Sequence, residues 1–80
     1  MNSFQITLTD SPADAVQRAQ NAAQQNGSQF NGDDTAGSFS GHGVYGTYII
    51  VGQVVTVTIT SKPFYVSMGM IQDGVQKLFA

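Results

Sequence analysis

Residues 43–61 read GVYGTYIIVGQVVTVTITS, and this stretch decides the architecture of the whole chain. From Val54 to Thr60, valine or isoleucine alternates with threonine, the period of a strand with two unlike faces. Gly52-Gln53 separates that run from the apolar run before it. Gly-X suits a two-residue II′ turn, whose first central residue needs a positive φ. The turn fixes the register: Val51 faces Val54, Ile50 faces Val55, Ile49 faces Thr56, Tyr48 faces Val57, Thr47 faces Thr58 and Gly46 faces Ile59. One face then collects Val44, Tyr48, Ile50, Val55, Val57 and Ile59. The other collects Tyr45, Thr47, Ile49, Val51, Val54, Thr56, Thr58 and Thr60. A slip of one residue would drive the threonines into the core, so the pairing is strongly specified.

Upstream, Phe4, Ile6 and Leu8 alternate with polar residues and predict a short first strand. Asp10-Ser11-Pro12 ends it. Ser11 is a good N-cap, Pro12 suits the first helical position, and Asp14 favours the positive end of the helix dipole. The helix from Pro12 to Asn26 carries a thin stripe of Ala15, Val16, Ala19, Ala22 and Ala23, with Gly27 just past its end. Ser28 to Asn31 predicts a second strand and Gly32 to Gly37 a turn. A third strand then runs from Ser38 to Val51 and bends near Gly41 and Gly43. Downstream, Lys62-Pro63 ends the sheet, Phe64 to Val66 forms an apolar connector, and Ser67 caps a last helix from Met68 to Phe79. Its apolar residues Met68, Ile71, Val75 and Leu78 fall on one side. The expected fold class is α+β, one two-layer domain over residues 1–80. Its order is β-α-β-β-β-α, an antiparallel meander with two helices on one face.

Eighty residues with no cysteine must be held by apolar burial alone, without disulfides or thiolate metal sites. Only 10% of the residues are charged, and all five acids are aspartates. A net charge of −2 with three scattered bases excludes the basic stripe that nucleic acids require, so no nucleic-acid partner is expected. No run is long and apolar enough for a transmembrane segment, and no basic stretch precedes an apolar one as in a signal peptide. The expected location is cytoplasmic.

Gly41-His42-Gly43-Val44-Tyr45-Gly46 matches G-x-G-x-x-G, but a dinucleotide site needs a helix to open there and a β-rich run follows instead. His42, the sole histidine, has only Asp33 and Asp34 as candidate partners across the 32–37 turn. These three residues define a possible ligand region. Asp33-Asp34 lacks the alternating carboxylates of a calcium loop, so no metal or cofactor is expected and no catalytic residue is assigned. The stronger candidate is the second face of the sheet. There Tyr45, Ile49, Val51 and Val54 lie among threonines with neither helix obviously available to cover them.

Phe39-Ser40-Gly41, Gly46-Thr47-Tyr48, Val54-Val55-Thr56-Val57 and the terminal helix from Met70-Ile71 to Leu78-Phe79 resemble the small bacterial polyhydroxyalkanoic acid system family. The resemblance runs from Phe39 to Phe79. It implies association with storage-polymer granules, or their regulation, and carries over no catalytic site. The expected function is therefore that of a small non-catalytic binding domain of a bacterial cytosolic protein. It would form a homodimer, or bind a hydrophobic surface or protein partner, through Tyr45, Ile49, Val51 and Val54. The alternatives are a small-ligand binder or minor enzyme built on the His42 region, and an accessory domain of a larger assembly.

Overall fold

A computed structural model describes residues 2–79. The elements in chain order are β1 (Ser3–Thr7), α1 (Pro12–Gln25), β2 (Gln29–Gly32), β3 (Ala36–Gly41), β4 (Val44–Val51), β5 (Val54–Ser61) and α2 (Met68–Phe79). The strands form a single antiparallel sheet in the order β1-β5-β4-β3-β2. The α+β class holds, with both helices packed on one face. The strand count is corrected, because the stretch expected as one bent strand from Ser38 to Val51 is a hairpin. His42 and Gly43 both take positive φ, 55° and 82°, and form a two-residue turn of the I′ kind between β3 and β4. The turn expected over Gly32 to Gly37 shrinks likewise, since β2 reaches Gly32 and β3 starts at Ala36.

The central hairpin pairs as the sequence requires, from Val51↔Val54 through Ile50↔Val55, Ile49↔Thr56, Tyr48↔Val57 and Thr47↔Thr58 to Gly46↔Ile59. Gly52 sits at φ 61°, which gives the II′ turn its one positive φ. The register shifts between Tyr45 and Gly46, where β5 carries one extra residue, and the Thr60 hydroxyl donates to the Tyr45 carbonyl at 3.1 Å.

β1 and β2 are the two edges of the sheet, so α1 must carry the chain from one side to the other. Its 14 residues make a rod of about 21 Å. Five strands at sheet spacing span about 19 Å between edge axes, and β1 ends beside the Gly52-Gln53 turn while β2 begins at the opposite end, so the crossing is diagonal. The Ser11 hydroxyl accepts from the Asp14 N–H at the helix start, and Gly27 at φ 71° follows its end. Ala15, Ala19 and Ala23 are buried, and their small size lets this rod lie close to the strands. α2 adds Ile71, Val75 and Phe79 to the same core. The Arg18 guanidinium joins the two helices: it donates to both oxygens of the Asp10 carboxylate and, at 2.7 Å, to the Phe79 carbonyl. Its hydrogen bond holds the Asp10 carboxyl below the usual range.

Tyr48, only 1% exposed, is the largest buried side chain and lies across its neighbours toward the β2 edge. It crosses two cross-strand glycines, Gly37 and Gly32. A Cβ on Gly37 would lie 2.5 Å from its ring, and one on Gly32 would lie 2.5 Å from its hydroxyl oxygen. The ring stacks on Phe30 at 5.2 Å and meets the edge of Phe79 at 5.7 Å, while its hydroxyl donates to the Asp33 carbonyl at 2.8 Å. Phe39 uses Gly46 in the same way, since a Cβ there would stand 2.6 Å from its ring. Gly32 and Gly37, which read as turn residues in the sequence, and Gly46 within β4 thus serve as seats for aromatic rings.

Burial, followed by the charges of Asp33 and Asp34, pushes the Tyr48 phenol up to about 12. An unfolded tyrosine ionises near pH 10, so the folded state holds this proton more tightly between those values. The stabilisation is complete below about pH 10 and is lost as pH rises through about 12. The urea midpoint is expected to fall over that window, and Tyr48→Phe to flatten the fall. An unchanged slope in Tyr48→Phe would assign the loss to other groups.

Candidate functional site

The side of the sheet away from the helices is uncovered. Register places Ser3, Thr58, Thr47, Ser38 and Asn31 in one row across all five strands. A second row carries Gln5, Thr56, Ile49 and Ala36, and a third carries Thr7, Val54 and Val51. No Asp, Lys, Arg or His occupies this face among the described residues of the strands. Ile49 is 56% exposed, Val51 74% and Tyr45 54%, with Val54 half-buried. The alternation of β4 and β5 produces this directly, because every residue that helices do not bury points the other way.

Three of the four expected interface residues come together. Val51 and Val54 are a cross-strand pair beside the Gly52-Gln53 turn, and Ile49 is next along the same face. That end is braced: the Leu8 N–H donates to the Gln53 carbonyl at 2.7 Å, and the Gln53 amide donates to the Asp10 carbonyl at 2.9 Å. Tyr45 stands apart. It lies four residues from Ile49, about 13 Å along the strand, with the hydroxyl row between them. There it borders a shallow polar saddle with Gln29, Asn31, Ser38, Ser40 and Thr60.

The His42 region does not assemble. His42 is exposed at one end of β3 while Asp33 and Asp34 occupy the turn at the other, separated by a six-residue strand of about 20 Å. The Asp33 carboxylate is also committed to its own turn. It accepts from the Thr35 hydroxyl at 2.7 Å, the Thr35 N–H at 2.9 Å and the Ala36 N–H at 3.1 Å. These bonds, the Thr35 hydroxyl foremost, hold it down at about 2. A carboxylate so engaged shapes a loop and has little capacity left as a base. Among the described residues, no group of three or more His, Cys, Asp or Glu is placed to hold a metal ion, and no helix is long and apolar enough to cross a membrane.

Two features escaped the sequence. One is an apolar groove of about 190 Å³ between α2 and the β2–β4 strands, walled by Phe30, Phe39, Val44, Ile71, Val75 and Leu78 with His42 at its rim. The other is the connector before α2, expected to be merely apolar, where Phe64 is 96% exposed and Tyr65 73%. The run Pro63-Phe64-Tyr65-Val66 between a finished strand and a capped helix was the available signal, since a tight turn leaves its middle side chains nothing to pack on.

The granule-family likeness rests on the segments quoted above. No family model, curated protein or solved structure matches the chain.

Proposed function

We propose that the protein is a non-catalytic interaction module that pairs with a second copy of itself through the uncovered face of its sheet. The observation that carries this reading is the composition of that face: five strands wide, with no charged side chain, and apolar at Ile49, Val51 and Val54. Charges are the usual protection of an open sheet surface against association, and this surface lacks them. A two-fold axis would set valine and isoleucine against their own copies, with the threonine rows exchanging hydroxyl hydrogen bonds around them. The committed turn carboxylate of Asp33 and its separation from His42 weigh against the enzyme alternative.

NMR spectra recorded over a dilution series test this reading. Amide signals of Ile49, Val51 and Val54 are expected to move with concentration. Ile49→Lys/Val51→Lys should abolish that movement while preserving the fold, because both side chains already stand in water. Concentration-independent signals at these residues in the wild-type protein would refute the proposal.

A further inference from the structure

From the exposed connector and the groove together we infer a second self-association contact, in which the Phe64 ring of one copy seats in the groove beside the β3–β4 turn of another. This contact is separate from the sheet face. The groove, at about 190 Å³, is smaller than the roughly 300–1,000 Å³ of small-molecule pockets. It is larger than the roughly 150 Å³ apolar cavity that admits one benzene. Its walls are the aliphatic and aromatic side chains of β2–β4 and α2, so its natural occupant is one aromatic ring.

The same chain displays such a ring. Phe64 is 96% exposed and touches Tyr65 edge-on, with ring centroids 5.6 Å apart. The loop that carries it is held: the Val66 N–H donates to the Pro63 carbonyl at 3.1 Å, and the Lys62 ammonium donates to the Val66 carbonyl at 2.8 Å. A loop held before contact loses little backbone freedom on docking, which favours the residue it presents as an anchor.

Knob and hole lie side by side. Pro63 packs on Gly43, whose added Cβ would come 3.0 Å from the proline ring, while His42 and Val44 on either side of that glycine line the groove. A patch that carries a projection next to a complementary recess is self-complementary under a two-fold rotation, so two Phe64 rings fill two grooves at once. The charged side chains of these segments are Lys62, whose ammonium is anchored to the Val66 carbonyl of its own loop, and Asp73 and Lys77, which pair at 3.3 Å on α2. With the sheet-face contact, each chain has two two-fold interfaces, which close into a dimer of dimers when the axes are perpendicular and intersect and otherwise extend the assembly. Without the sheet-face contact, this one makes a simple dimer.

The test uses the whole chain, both as wild type and as Ile49→Lys/Val51→Lys, so that loss of the sheet contact is read separately. Phe64→Ala removes the knob, and Gly74→Leu fills space at the groove wall, where an added Cβ meets nothing within 4 Å. Neither change disturbs the core, and leucine is the better helix former at position 74. In sedimentation equilibrium on the Ile49→Lys/Val51→Lys background, each should weaken the remaining association by roughly tenfold or more, as loss of an anchor residue does. Isotope-filtered spectra should show contacts from the Phe64 ring of an unlabelled copy to the Val75 and Leu78 methyls of a labelled one. Equal association of Phe64→Ala and its parent, a monomeric parent, or contacts confined within one chain would each overturn the proposal. If Ile49→Lys/Val51→Lys leaves the wild-type mass unchanged while Phe64→Ala lowers it, the sheet-face reading fails and this one stands.

Discussion

Tyr48→Ala is expected to lower the unfolding free energy by about 3–5 kcal/mol, the range for deleting a buried aromatic ring. A chain of 80 residues has roughly 4–12 kcal/mol in total, so this single change removes a large share of the stability and leaves a measurable unfolded population. The size follows from what the ring touches. It is 1% exposed, stacks on Phe30, meets the edge of Phe79 and covers the glycine pair that joins β2 to β3. Its removal leaves a cavity that bare glycine backbone cannot collapse to fill. Tyr48→Phe keeps the ring and loses only the hydroxyl's bond to the Asp33 carbonyl, and should cost about 1 kcal/mol. Urea titrations of the two variants separate ring from hydroxyl. Near-equal losses would mean that the hydroxyl, not the ring, holds the β2–β3 end of the sheet.

Gly37→Ala tests the other half of the same arrangement. The new methyl would lie 2.5 Å from the Tyr48 ring and equally close to the Asn31 carbonyl oxygen, so either the ring or the β2 backbone must move. Overpacking of this kind costs about 1–3 kcal/mol, and contact with backbone on one side places this case at the upper end. In the Tyr48→Ala background the ring half of the clash is gone. The double variant should therefore be less destabilised than the sum of the two single ones by about 1 kcal/mol or more. Strict additivity across the cycle would show that the ring does not rest on Gly37.

These two residues also show where the sequence was legible. Tyr48 was assigned to the inner face, opposite Val57, because alternation on both sides of Gly52-Gln53 leaves one consistent register. Gly37 was assigned to a turn because a glycine following Asp-Asp-Thr-Ala carries no period of its own. What gives it a role is a ring on the neighbouring strand, a relation between strands that the order of residues along one does not encode. The His42–Gly43 turn was missed for a related reason. Asn-Gly or Asp-Gly announces a two-residue hairpin, whereas histidine, although enriched among residues at positive φ, is a weaker sign. Without that turn Phe39 had no register and no assigned side, whereas the inward side of Val44 follows from the β4 alternation alone.

The interface candidates divide along the same line. The outward placement of Ile49, Val51 and Val54 is legible because the facing of each residue follows from the register alone. Tyr45 was grouped with them on shared face, but rise along the strand and the bulge at Gly46 put it at the far end. The Phe64 knob and its groove depend on the placement of α2 against the β3–β4 turn, which no local pattern reports.

The strand order has one more consequence, in time. β1 is made first, yet its partner β5 lies far downstream: Gln5 pairs with Thr56, 51 residues later. At the roughly 5–20 residues per second of ribosomal synthesis, the first strand waits about 3–10 s for its neighbour to exist. The β4–β5 ribbon closes over only two residues and is ready as soon as it emerges, so it is the natural template onto which β1 later zips.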